Sequence, residues 1–248
     1  MNMKSFFLTL LPGIVFLFIW ELYVHDSNRL KFLFASPGLI AQAGFAELQQ
    51  VDIWKDCGIT LLEAILGLLF GTLLGTVSGL LLWANRSIDM IARPYVVLIG
   101  SIPVFALAPV MIVWFGIGLL SKAVMAGFAV YFVSLVQAYE GAHVIAAQYL
   151  NYAHSIRAPR SRTVLKVIVP GSIHWVLTGF RMSVGFALTG AFIGEFVSSE
   201  AGIGHYILKA SSLYDMPKVF LGLLLISLMA MALTSGAGLI QRFHRAAH

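Results

Sequence analysis

Long uncharged runs set the pattern of this chain. Residues 64–84, 95–121 and 219–241 contain no Asp, Glu, Lys or Arg. Each has the roughly 20 apolar residues that cross a hydrocarbon layer about 30 Å thick. A shorter run, 123–139, reaches that length with its flanks, and the run 5–20 reaches it by taking in Glu21. The stretch 173–197 is equally apolar except for Arg181 and Glu195. The pattern predicts an all-α integral membrane protein with six transmembrane helices at about 5–24, 60–84, 95–115, 120–140, 173–198 and 219–241. The first run is read as a helix and not as a cleaved signal peptide. It ends in Phe18, Ile19 and Trp20, with no small-residue cleavage site.

Between these helices lie two longer polar stretches. The first, 26–58, contains Ser36-Pro37, a helix start, followed by Leu39, Ile40, Ala43 and Ala46 at helical spacing. A short helix along the outer surface is expected there. The second, 141–172, exceeds what a turn between adjacent helices needs. It reads as a helical piece over 142–156, a break at Pro159, and an apolar face at Val164, Leu165, Val167 and Ile168 before Pro170. No composition shift marks a second domain, so residues 1–248 are read as one unit.

Composition agrees with a lipid-embedded chain. Hydrophobic residues make up 59% of it and charged residues 11%, too few to cover a water-soluble globule of this size. The formal charge of +5 is distributed unevenly. With the N-terminus inside, cytoplasmic pieces carry Lys4, Arg86, Arg93, Arg157, Arg160, Arg162, Lys166, Arg242 and Arg245 with few acids nearby. On the other side, Arg29, Lys31, Lys55, Lys122, Lys209 and Lys218 are balanced by acids. The positive-inside rule therefore puts both termini in the cytoplasm. In this setting the basic excess calls for no nucleic-acid partner. The lone Cys57 excludes an internal disulfide and a cysteine metal cluster.

Candidate chemistry is sparse. No Walker A motif, dinucleotide fingerprint, HExxH pair or nucleophile elbow occurs, so any ATP must be bound by another chain. Gly67, Gly71, Gly75 and Gly79 repeat every four residues and line one helix face. That face is either a close helix packing surface or a sliding or subunit contact. Thr72, Thr76 and Ser78 bring hydroxyls to the same helix, and Glu63 reads as a boundary residue at its start. Arg181 and Glu195 are fourteen positions apart, about 21 Å along one helix, and cannot pair. As intramembrane ionisable residues they are either functional or interfacial anchors. Pro103 and Pro109 either kink the third helix or free carbonyls to line a passage. The histidines, His143 with His154 and His244 with His248, show no metal-ligand spacing. Arg157, Arg160, Arg162 and Lys166 crowd the cytoplasmic turn, which is a topology signal, a lipid-headgroup contact or a protein docking site.

At that turn the sequence resembles the permease subunits of bacterial ATP-binding-cassette importers, most of all the nitrate, sulfonate and taurine group. Residues Asn151-Tyr152-Ala153-His154-Ser155-Ile156-Arg157, followed by Val167-Ile168-Val169-Pro170-Gly171, match the family's loop of the type E-A-A, Gly, hydrophobic stretch and Leu-Pro. Leu177-Thr178-Gly179-Phe180-Arg181, Gly194-Glu195-Phe196 and Ala201-Gly202-Ile203-Gly204 are similar to later blocks, and Pro109 with Trp114-Phe115-Gly116-Ile117-Gly118 to an earlier one. Asn151 stands where the family has Glu, Arg157 where it has Gly, and Glu63 where relatives often have Arg. The resemblance implies a type I importer permease. Its partners would be a second permease copy, ABC ATPase subunits that hold ATP and Mg2+, and an extracytoplasmic solute-binding protein, all at a bacterial inner membrane. No cofactor is expected in this chain, and no catalysis.

It also implies that the cytoplasmic loop docks the ATPase through Asn151, Tyr152, Ala153, Ile156, Arg157, Pro159 and Arg160. Path and gate fall to Glu195, Arg181, Thr72, Thr76, Ser101 and Thr189. The cargo would be a small solute: a sulfonate, nitrate, taurine or a pyrimidine-type precursor. An ion-coupled carrier of a small polar solute is the alternative. It calls for carboxylates near the bilayer midplane, whereas these acids fall toward helix ends. A membrane enzyme calls for a clustered nucleophile or metal set, which the sequence does not display.

Overall fold

The computed structural model describes residues 3–25 and 27–246, and every regular element among them is helical. Helix α1 (Met3–His25) leads to α2 (Asn28–Phe34) and α3 (Pro37–Glu47). The last is the short helix expected after Ser36, whose hydroxyl accepts from the Leu39 N–H as an N-cap. Next come α4 (Val51–Ala84), α5 (Arg86–Gly100), α6 (Val104–Phe115) and α7 (Leu119–Ser155). The polar turn that follows holds α8 (Arg160–Thr163), a π-helical turn (Val164–Ile168) and α9 (Val169–Gly171). The chain closes with α10 (Ile173–Val197), α11 (Ile203–Ser212) and α12 (Met216–Ala246).

Four helices, α4, α7, α10 and α12, are long and apolar enough to cross a membrane. Helices α5 and α6 make a fifth if the pair, bent by 95°, is one span, and α1 carries a further apolar stretch at Leu11–Val24. Among the described residues the count is thus four such helices, or five with the bent pair, beside the six predicted. The predicted third helix, 95–115, is two helices parted at residues 101–103. Pro103 lacks an N–H and forces Ile102 out of helical backbone, which ends α5 and lets α6 leave in a new direction. At the far end of α6, Gly116 takes φ 78°, open to glycine at no cost, and stops the helix.

Other helices outrun their apolar segments. At 34 residues α4 is about 51 Å long, and it starts nine residues before the predicted 60. Asp52, Lys55 and Asp56 interrupt hydropathy there without interrupting the helix. Likewise α7, 37 residues and about 55 Å, runs on from the predicted end at 140 through the first half of the polar loop.

The centre of the fold is a three-helix packing of α4, α7 and α10. Each glycine of the repeat in α4 lies against α7. A methyl group on Gly67 would overlap Ala126, and one on Gly71, Gly75 or Gly79 would overlap the carbonyl of Gly127, Tyr131 or Leu135. Gly190 and Gly194 of α10 abut Ala126 and Lys122 of α7 in the same manner. Small residues thus bring three backbones together, and dispersion between close atoms replaces the absent hydrophobic drive. Ala64, Leu68, Val130, Val184, Ala187 and Leu188 fill the seam. On the opposite side of α4, Phe70, Leu73, Leu74 and Leu81 are exposed, as suits a surface facing lipid or another subunit. The three-helix packing fixes the N-terminal part of α4 against α10, which is where the candidate site forms.

Candidate functional site

Residues Asp56, Thr60 and Glu63 stand at i, i+4 and i+7 on α4 and continue toward its N-terminal end the same face that carries Gly67 and Gly71. The end of α10 and the start of α11 meet this face. Helix α10 stops at Ser198, the chain turns through 199–201, and Gly202 at φ 102° opens α11. The first turn of any helix leaves N–H groups unpaired. Here three are received in series. Gly202 donates to Asp56 Oδ1 at 2.7 Å, Ile203 to Thr60 Oγ1 at 2.9 Å, and Gly204 to Glu195 Oε2 at 2.7 Å. Thr60 then passes its own hydroxyl proton to Glu195 Oε1 at 2.6 Å. The Glu63 carboxyl lies beside that of Glu195. Thr60 and Glu195 are fully buried, and Glu63 is 2% exposed. The arrangement is a joint that ties α4, α10 and α11 together.

Gly202 has two reasons to be glycine. Its φ lies where an L side chain is strained, and a Cβ there would overlap the Glu195 carboxyl. Lys122 of α7, 3% exposed, sits behind Gly194 and donates its ammonium to the Ile117 carbonyl. Outside the joint, a polar cavity of about 350 Å3 is bordered by Glu47, Asp56, His205, Tyr206, Asp215 and Lys218 among others. Lys218 bridges to Glu47 at 2.7 Å, tying α12 to α3. Burial, with Glu47, Asp215 and Asp56 nearby, pushes the Tyr206 phenol well above its ordinary range, so it stays a neutral hydroxyl.

At the opposite end of α7 is an exposed knob. Tyr149, Tyr152 and Ile156 occupy one helical face, and Tyr152 and Ile156 are 68% and 61% exposed. Arg157 takes φ 52°, the left-handed conformation that ends many helices and favours glycine. The Ala158 N–H reaches back to the Ala153 carbonyl at 2.9 Å, closing the turn, and Pro159 starts the next one. Ala153 is buried beneath the turn while Asn151 and Pro159 are exposed, and exposed Arg162, Leu165 and Lys166 follow. The side chains of Arg160 and His154 lie outside the described residues.

The predicted path residues do not form one cluster. Glu195 is at the joint, whereas Arg181 is exposed near the other end of α10, beside Gly238 of α12. Ser101 and Thr189 are exposed and give their hydroxyl protons to the Leu98 and Gly185 carbonyls. The Thr72 and Thr76 hydroxyls are buried within the fold and make no hydrogen bond, so they do not face open water. Glu63, read from sequence as a boundary residue, is instead buried against Glu195. Asp56, Thr60 and Lys122 were not singled out. The signal available was the i, i+4, i+7 spacing of polar residues in line with the glycine repeat.

Long apolar helices packed by glycine, with a bent pair between two of them, define a membrane-spanning helical subunit. Residues 67–246 match the family described as binding-protein-dependent transport system inner membrane component. The chain belongs to that family. A probable ABC transporter permease protein of Haemophilus influenzae is 33% identical over 88% of this chain and 89% of its own length. The formylaminopyrimidine transport permease protein ThiX of Halalkalibacterium halodurans is 28% identical over 92% and 91%. The taurine transport system permease protein TauC of Escherichia coli is 26% identical over 82% and 74%. Among solved structures, a chain of the inward-facing MetNI methionine ABC transporter superposes with a TM-score of 0.70 at 18% identity. The match covers 79% of this chain and 97% of that one. The chain is an ABC importer permease.

Proposed function

We propose that this chain forms the translocation path of an ATP-driven importer for a small solute, as one of two permease copies. ABC ATPases dock on its cytoplasmic loop, and an extracytoplasmic binding protein delivers the solute to the face that bears the α11 joint. Both termini lie in the cytoplasm, and α1 and the bent α5–α6 pair complete six crossings of the inner membrane. The observation that carries the docking assignment is the knob at the end of α7. Tyr152 projects from a helix that overruns its apolar segment and Ile156 from the turn that follows, and exposed Arg157 and Arg162 come next in the chain. Exposed aromatic and aliphatic side chains next to exposed arginines have the composition of a contact site. ATP binding in the partner moves this turn, and the α4–α7–α10 core carries the motion to the outer joint. The solute belongs to the group handled by the relatives, which includes taurine and formylaminopyrimidine.

Docking is tested with Ile156→Asp and Arg157→Glu chains co-expressed with the cognate ATPase. Loss of co-purification, with the permease itself still folded, is the expected result. Retained assembly and unchanged solute-stimulated ATP hydrolysis would overturn the assignment.

A further inference from the structure

The hydrogen bonds around Glu195 decide how the Glu63–Glu195 contact is built. Glu195 receives two donors, Thr60 Oγ1 on Oε1 and the Gly204 N–H on Oε2. Such a group is arranged as a carboxylate. Glu63 receives none. Its Oε2 is buried and has no hydrogen-bond partner, and among the described residues no ion pair involves Glu63 or Glu195. Two carboxylates cannot hydrogen-bond to each other, since neither carries a donor. The contact between them therefore needs one proton, and the side without other donors is the one to hold it.

We infer that Glu63 is a positioning residue which, as a neutral acid, donates a proton to Glu195 and so latches the outer end of α4 to α10 and α11. Loss of that proton sets two buried negative charges against each other and opens the joint. The remaining ionisable groups facing the pair do not substitute for the proton. Asp56 and Cys57 on α4 are an acid engaged with Gly202 and a thiol, and Glu200 in the turn after α10 is a further acid. Lys122 on α7 has its ammonium on the Ile117 carbonyl, and His205 on α11 lies beside Asp56. A cavity of about 380 Å3 between α4, α7 and the 199–201 turn is bordered by Glu63, Lys122, Ser199 and Glu200 and gives water a route to the proton.

The consequence has a definite sign. The closed joint holds a proton that the open joint releases, so closure is favoured at low pH and weakened as pH rises. The latch is a property of this chain alone and goes beyond the transport reading, without depending on its solute or its ATPase.

The test uses the full chain in lipid nanodiscs. Hydrogen exchange at residues 202–204 is followed as pH is raised and expressed as protection factors, which divide out the intrinsic pH dependence of exchange. Wild-type protection is expected to fall by about tenfold per pH unit once release of one proton sets in. In Glu63→Gln, whose amide supplies the donor at every pH, it is expected to stay flat. Infrared spectra of the wild type are expected to show a protonated carboxyl band at neutral pH that Glu63→Gln lacks. A flat wild-type profile, a Glu63→Gln profile that falls in parallel, or the absence of that band in the wild type would each overturn the latch. The wild-type measurements decide even if the variant does not fold.

Discussion

Thr60 on α4 gives its hydroxyl proton to Glu195 on α10 at 2.6 Å across a sequence separation of 135 residues, and both side chains are fully buried. The same Thr60 oxygen accepts from the Ile203 N–H, so one hydroxyl links three helices. Thr60→Val keeps the shape and removes both bonds, leaving a carboxylate oxygen and a backbone N–H buried without these partners. Each such loss costs about 1–3 kcal/mol. Thermal unfolding in detergent is expected to show Thr60→Val clearly destabilised and Thr60→Ser close to wild type. Equal stability of Thr60→Val and wild type would remove the hydroxyl from its place in the joint.

The glycine repeat makes a prediction with an internal control. A methyl group on Gly75 would overlap the Tyr131 carbonyl, while Gly58, on the same helix, has nothing within 4 Å of an added Cβ. Gly75→Ala is expected to lose about 1–3 kcal/mol through forced separation of α4 and α7. Gly58→Ala is expected to gain about 0.4–1 kcal/mol through reduced freedom of the unfolded chain. Opposite signs in parallel unfolding measurements check the pair, and a destabilised Gly58→Ala would mean the end of α4 is more crowded than the structure has it.

These two cases mark what sequence makes legible. The repeat at Gly67, Gly71, Gly75 and Gly79 is visible because a four-residue period defines one helix face whatever packs on it. Its partner, α7, is not visible, since nothing local in Ala126 or Tyr131 says which helix they meet. Glu63 looks like a helix-boundary acid because its burial depends on Glu195, a residue far along the chain. The start of α4 and the end of α7 were misplaced for a related reason. Hydropathy marks where lipid begins, whereas a helix continues as long as its hydrogen bonds do. Pro103 announced an interruption, but whether a proline kinks a span or turns it by 95° is set by what surrounds it.

Arg157 sits at φ 52° in the turn where the resembling loops have glycine. Arg157→Gly and Arg157→Ala both remove the cation, so their difference isolates the backbone. Glycine is expected to be the more stable by about 1 kcal/mol, the cost of left-handed backbone for a residue with a Cβ. Protection of the amides at 156 and 158 in hydrogen exchange reads this locally. Identical protection in the two variants would place Arg157 in ordinary backbone.

Gly202 tests the joint from the other side. Gly202→Ala introduces strain at φ 102° and drives a methyl group into the Glu195 carboxyl. The first effect is confined to the backbone, and the second depends on how far the Glu195 side chain reaches. Shortening that side chain with Glu195→Asp draws the carboxyl back and removes the collision, while also lengthening its bonds to Thr60 and Gly204. Each single variant is therefore expected to be destabilised, and the double variant to be less destabilised than the sum of the two. Contacting residues typically couple by about 0.5–3 kcal/mol in such a cycle. A coupling near zero would mean that backbone strain alone requires glycine at 202, and that the carboxyl does not lie under the turn.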